Sequence, residues 1–178
     1  VFGQEKPFTC GNYQQLKKLY AENPGMEADY YYLLNKNKHT WTTKSGDDST
    51  VYTIPIVFHI LHEYGSENIS DLQVYDEMDI LNEDYANLNP DANTVQTPFD
   101  TIVGTAKIKF VLAKYDPFGN CTNGIEHLYT HMANKGDDYS KIHQWNRKEY
   151  LNIWVTNTIG SAGVAGYAYY PGSTVGSF

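Results

Sequence analysis

The side chains able to do chemistry here are His59 with His62, Glu126-His127 with His131, Asp137-Asp138, and the cysteines Cys10 and Cys121. His59-x-x-His62 has the ligand types of a zinc site. Its surroundings, Ile54-Pro-Ile-Val-Phe-His-Ile-Leu-His62, are those of a buried strand. Strand residues three apart point to opposite faces, so this pair cannot share a metal and reads as two ordinary strand histidines. His127 and His131 would chelate zinc at i, i+4 on a helix, but Leu128 stands where an H-E-x-x-H motif needs its Glu. Ile125, Tyr129 and Thr130 favour a strand there as well. Asp137-Asp138, between Gly136 and Tyr139, reads as a solvated turn, and Glu83 and Asp84 diverge on adjacent helix positions. The sequence contains no G-x-S-x-G elbow, phosphate loop, C-x-x-C or H-E-x-x-H. These residues alone point to an exported α/β domain without an assembled catalytic centre.

Hydrophobic spacing outlines the elements that must carry those groups. Leu16, Leu19 and Tyr20 predict a helix over 12–20, stopped by Asn23-Pro24-Gly25. Met26, Tyr30, Leu33 and Leu34 predict a second helix over 26–35 with these residues on one face. Residues 36–50 are polar, with Lys44-Ser-Gly-Asp-Asp48 at their centre, a composition that suits a mobile linker open to proteolysis. The compact part then begins with a strand over 51–62 in which Pro55 donates no ladder bond. Ser70 is a good N-cap, and Val74, Met78, Leu81 and Tyr85 form one apolar stripe down to Asn89-Pro90. Ile108, Phe110 and Leu112 alternate with Lys107 and Lys109 in a half-exposed strand, followed by a turn over 116–120. Further strands are expected over 124–130, 150–157 and 166–171, a short helix over 140–148, and a flexible loop over 160–163. This order implies a mixed sheet with helix cover.

Composition narrows the function classes. At 178 residues the chain can bury a core without disulfide or metal staples, and 41% apolar against 19% charged residues excludes a disordered chain. A net charge of −8 argues against nucleic acid or an anionic membrane as the partner. The longest mainly apolar run, Ile54 to Leu61, is too short to span a bilayer. Sixteen tyrosines against 13 Lys plus Arg suit an extracellular surface, and Val1-Phe-Gly-Gln4 reads as the remnant of an export signal. Two cysteines allow one bridge or two free thiols.

The run Tyr52-Thr-Ile-Pro-Ile-Val-Phe-His-Ile-Leu-His62 resembles the first strand of pappalysin-type metalloendopeptidases, a branch of the metzincins. Asn68-Ile-Ser-Asp71 with Ile80-Leu-Asn-Glu-Asp-Tyr85 and Leu88-Asn-Pro-Asp-Ala92 resembles their first helix. Lys107-Ile-Lys-Phe-Val-Leu-Ala113 with Asp116-Pro and Asn123-Gly-Ile125 is similar to their second strand and its turn. Tyr150-Leu-Asn-Ile-Trp-Val155, Gly166-Tyr-Ala168 and Pro171-Gly172 follow in the same order. The resemblance runs from Val51 to Gly172. It implies an α/β (α+β) fold: a mixed, mostly parallel twisted sheet with helix cover, the zincin-like upper subdomain, preceded by a small helical prosegment.

The same resemblance implies a division into a prosegment and linker over 1–50 and an upper catalytic subdomain over 51–178. The family's zinc helix, H-E-x-x-H-x-x-G-x-x-H, lies downstream of the segment resembling Gly166 to Pro171 and has no counterpart up to Phe178. The expectation is therefore the N-terminal part of a secreted zinc-dependent endopeptidase zymogen, inactive as this fragment. Zinc belongs to the complete enzyme, and none is expected for this chain alone. The expected partner is an extended peptide or protein substrate, with Gly166, Tyr167 and Ala168 as its binding edge and no catalytic residue within the chain. Relatives carry a Cys-Gly pair ahead of short helices, so Cys10-Gly11 implies Cys10 as a latency ligand to the metal; a structural or bridged Cys10 is the competing reading. Thr156 stands where relatives often have Cys, which leaves Cys121 without that partner. The rival class is a non-enzymatic secreted binding module derived from the same sheet.

Overall fold

The computed structural model describes residues 9–38, 50–160 and 163–169. In chain order the elements are strand β1 (Thr9–Cys10), helices α1 (Asn12–Glu22) and α2 (Met26–Lys38), strand β2 (Tyr52–His62), helix α3 (Asp71–Tyr85), and strands β3 (Ile108–Leu112), β4 (Ile125–Tyr129), β5 (Leu151–Val155) and β6 (Val164–Gly166). Two compact units divide them: Asp48–Thr158 forms one, and Val1–Asp47 with Ile159–Phe178 the other. The expected signal remnant over 1–4, the centre of the linker around Lys44, residues 161–162 of the expected loop over 160–163 and the end of the extended segment over 166–171 lie outside the described residues.

In the larger unit β2 is the hub. β3, β4 and β5 each pair with it in parallel. Tyr52 N–H donates to the Lys107 carbonyl and Phe58 N–H to the Gly124 carbonyl, both at 2.9 Å. Residues an even number apart on a strand send these groups to the same side, so β3 and β4 share one edge of β2. β5 pairs with Ile56 to Ile60, overlapping both registers, and so takes the opposite edge. Pro55 would point its missing donor to that second edge, one residue before the β5 ladder begins. The fold class read from the sequence holds: the named ladders of the described residues are parallel, and a helix covers the sheet.

Alternation splits β2 between two layers. Ile56, Phe58 and Ile60 pack with Phe110 and Ile125 beneath Val74 and Met78 of α3. Removing each such side chain from water contributes about 1.5–3 kcal/mol. Helix α3 starts as expected, with Ser70 and Gln73 forming a reciprocal capping box. Tyr85, at the far end of the stripe, is exposed but sets its ring edge-on to Phe110 at 4.7 Å. Val57, on the other face, packs with Ala113 and Trp145.

Three expectations shift. The helix expected over 140–148 is absent; 3-10 turns at His131–Asn134 and Asp138–Ser140 stand near that place. His143 has φ of 55°, a left-handed backbone that interrupts any α-helix, and the Trp145 N–H is drawn to Asn152 Oδ1 at 2.8 Å. In the smaller unit α2 runs to Lys38, and on its expected face Met26 is buried, Tyr30 half-buried and Leu34 exposed. The Leu33 side chain lies outside the described residues. The last strand begins at Val164 rather than Gly166, and it is paired.

Asn82 supplies an interaction that hydrophobic spacing does not reveal. Its side chain donates to the Phe110 carbonyl at 3.0 Å and accepts from the Phe110 N–H at 2.9 Å. A helix side chain thus serves β3 as a neighbouring strand would. Asn82→Ala leaves both Phe110 groups without that partner and should cost about 1–3 kcal/mol in urea unfolding. A loss too small to measure would show that water replaces the amide without penalty.

Candidate functional site

Two residues singled out separately in the sequence meet in the smaller unit. Cys10 of β1 and Gly166 of β6 are register partners in a parallel ladder, with Thr9 opposite Val164 and an irregularity between the two pairs. The Gly11 N–H donates to the Gly166 carbonyl at 2.9 Å, and the Ala168 N–H donates to Asn12 Oδ1 at 2.7 Å. A Cβ on Gly11 would come within 2.6 Å of Val164 Cγ1, so any larger residue here would push the Val164 side chain aside. Tyr167 and Tyr169 set their rings edge to face at 5.7 Å, as alternation expects for residues two apart. The expected binding edge, Gly166 to Ala168, therefore has Cys10, Gly11 and Asn12 as its neighbours. The Cys10 thiol is exposed, and both Cys10 and Cys121 are free, so the bridge that the cysteine count allowed is not formed.

The histidines demoted from metal binding are placed by ordinary structural needs. His59 and His62 lie on opposite faces of β2 because they are three apart. His59 is fully buried; its Nε2–H donates to Asn152 Oδ1 at 3.0 Å, and Nδ1 pairs with Glu126 Oε2 at 2.7 Å. Asn152 is itself fixed, donating to the carbonyls of Trp145 and Tyr150 and accepting from the Trp145 N–H. The His59 ring stacks on Trp154 at 5.0 Å. Glu126 and His127 occupy successive positions of strand β4 and so face opposite ways. His127 pairs with Asp71 at 2.9 Å, His131 with Glu63. Among the described residues, no three His, Cys, Asp or Glu side chains converge as metal ligands. Asp137 caps Tyr139 and Asp138 pairs with Lys141 at 2.6 Å, so this doublet serves a turn.

Parallel strands commonly gather ligands at their carboxyl ends. At that end of β2, Tyr64 adopts φ of 67° and stacks on Tyr129 at 5.0 Å. Glu67 holds this reversal, accepting from the Glu63 N–H at 2.7 Å and the Gly65 N–H at 3.1 Å. The Glu63 N–H, foremost among these donors, keeps the Glu67 carboxyl below the ordinary carboxylate range. Asn120 lowers Asp116 in the same way, while burial lowers Lys141 against the pull of Asp138.

Two measurements test this geometry. A carboxyl lowered by folding stabilises above its unfolded pKa, about 4.3, and loses that contribution as pH falls through the folded value. The Glu63 and Gly65 amide resonances should therefore move toward loop-like positions only in acid, below that range. Glu67→Gln, which keeps the acceptor, should flatten the titration; an unaltered titration would assign it to another group. For the buried network, Glu126→Leu and His59→Leu should each destabilise, and the double variant should lose less than their sum by about 1–3 kcal/mol. Additive losses would mean that the two side chains do not support each other.

No family model matches the chain, and no curated protein does. Solved structures do. Mature mirolysin of Tannerella forsythia, in complex with a cleaved peptide, shares 36% identity over 68% of this chain and 47% of its own, with a TM-score of 0.60. A promirolysin mutant from the same organism shares 28% identity over 94% of this chain and 55% of its own, with a TM-score of 0.69. Mirolysin in complex with a further compound matches at 35% identity over 59% and 42% of the two chains, TM-score 0.53. The chain spans about half the length of the structures it matches. It shares with them a metzincin-type metalloprotease fold, in a mature enzyme and in the precursor that carries a prosegment.

Proposed function

We propose that this chain is the N-terminal part of a secreted, zinc-dependent metalloendopeptidase zymogen of the pappalysin type. In this reading residues 1–50 form the latency prosegment and linker, and residues 51–178 the upper part of the catalytic domain. The observation that carries it is the β1–β6 ladder: Cys10, the expected latency ligand, is the register partner of Gly166, the first residue of the expected peptide-binding edge. The coverage of the solved structures supports it too. The precursor is matched over 94% of the chain and the mature enzyme over 68%, a difference comparable in length to the segment ahead of β2.

The chemistry follows from what each group can do. An extended peptide binds a strand edge through backbone bonds, which hold it with little dependence on sequence. Gly166, Tyr167 and Ala168 would present that edge, and β1 occupies it in the precursor. Zinc, when bound in such an enzyme, polarises the scissile carbonyl and activates water. Cys10, a free and exposed thiol beside this edge, has the chemistry to ligate such a metal. A thiolate is a strong zinc ligand and would hold the coordination position that water needs.

The test is Cys10→Ala in the complete gene product. It should become active early and lose its response to mercurial reagents, while the parent stays latent until it is cut near Lys44. A variant as latent as its parent would remove Cys10 from the metal and leave it a structural residue.

A further inference from the structure

The ladder between β1 and β6 contains a substitution of side chain for backbone. In a parallel pair, a residue whose N–H reaches one partner residue sends its own carbonyl to the N–H two residues further along. Gly11 donates to the Gly166 carbonyl, so its own carbonyl is due at the Ala168 N–H. It does not go there. Gly11 lies in the helical region, with φ of −81° and ψ of −3°, and its carbonyl accepts the Gln15 N–H at 3.0 Å as the first bond of α1. The vacated rung is filled by the next residue: Asn12 Oδ1 accepts the Ala168 N–H at 2.7 Å. Only the oxygen of the amide can do this, because the partner is a donor. The chain thereby passes from strand to helix within one residue and still closes one more rung.

We propose that Asn12 is a second lock on the precursor, a positioning residue that acts independently of the Cys10 thiol. The inference rests on reading Gly166 to Ala168 as the peptide-binding edge. An incoming peptide needs the outward carbonyl of Gly166 and the outward N–H of Ala168. Gly11 takes the first and Asn12 the second, and neither contact involves sulfur. Gly11 eases the arrangement, since a Cβ there would crowd the Val164 side chain. Releasing the thiol alone then frees the metal but leaves β1 competing with substrate for the edge, so the activity gained is only partial.

The first experiment reads this bond directly, by residue-resolved amide exchange on the 178-residue chain. Asn12→Ala should speed exchange of the Ala168 amide about fivefold, as expected for the loss of one hydrogen bond, while the amides of α1 and β2 stay protected. Asn12→Asp, which keeps an acceptor, should restore protection, and Cys10→Ala should leave Ala168 protected. The second experiment uses the complete precursor. Cys10→Ala should hydrolyse an extended peptide slowly, and adding Asn12→Ala should raise that rate severalfold. Unchanged Ala168 exchange in Asn12→Ala, or equal loss of protection throughout α1, overturns the lock itself. Faster exchange at Ala168 with no gain in the double variant leaves the hydrogen bond standing but overturns the edge as the peptide's seat, and with it the lock.

Discussion

The larger unit depends on one constraint: a single strand must satisfy two edges and two faces at once. β2 meets it by dividing its length. Its first half bonds β3 and its second half β4 along one edge, while β5 spans the join on the other. Each partner strand is short and, among the named ladders, pairs with β2 alone. Their stability is therefore borrowed from its position. This is why Ile56, Val57, Ile60 and Leu61 are completely buried, and why a chain segment this apolar appears only once in the sequence.

Within that strand His59 is the exception, a polar ring where burial is complete. It persists because every polar atom around it has a partner, from Glu126 on β4 to Asn152 on β5. A network of this kind contributes less through its net energy than through register. A slip of either flanking strand by one residue would turn Glu126 or Asn152 to the opposite face and strand the imidazole in an apolar layer. Apolar packing against α3 tolerates small displacements. The polar side does not.

The parts of this architecture that were legible in the sequence are those that repeat. The strand over 51–62, the capped helix with Val74 and Met78 inward, and the alternation of Ile108, Phe110 and Leu112 all follow from periodicity and reappear in the fold. The expected helix over 140–148 had no such stripe behind it. It gave way to the left-handed backbone at His143 and to the pull of Asn152 on Trp145. At the candidate site, Cys10 and Gly166 drew attention through resemblance, and what neither composition nor spacing could show is that they face each other across a ladder. The contacts of Asn12 and Asn82 carried no signal in composition or spacing, although Asn82 lies within the run that resembles the family's first helix. Each acts by lending an amide to a backbone that lies distant in sequence, a contact without periodicity.

The join between β3 and β4 has its own consequence. The chain leaves the sheet at Ala113, whose N–H is bonded to the Ile56 carbonyl, and returns at Gly124, whose carbonyl takes the Phe58 N–H. Gly124 has φ of 75°, and a Cβ there would lie 2.8 Å from the Ala113 nitrogen, so the two ends of the excursion touch. The stretch between them hangs from a closed neck, held further by the Thr122 N–H on the Lys114 carbonyl and by the Tyr150 hydroxyl on the Tyr115 carbonyl, and its tip at Phe118 is almost wholly exposed. Lengthening such a loop costs only the slowly growing entropy of closure. The tip is thus a natural port for graft or insertion, where a tag or a second domain can be carried without the sheet registering its presence.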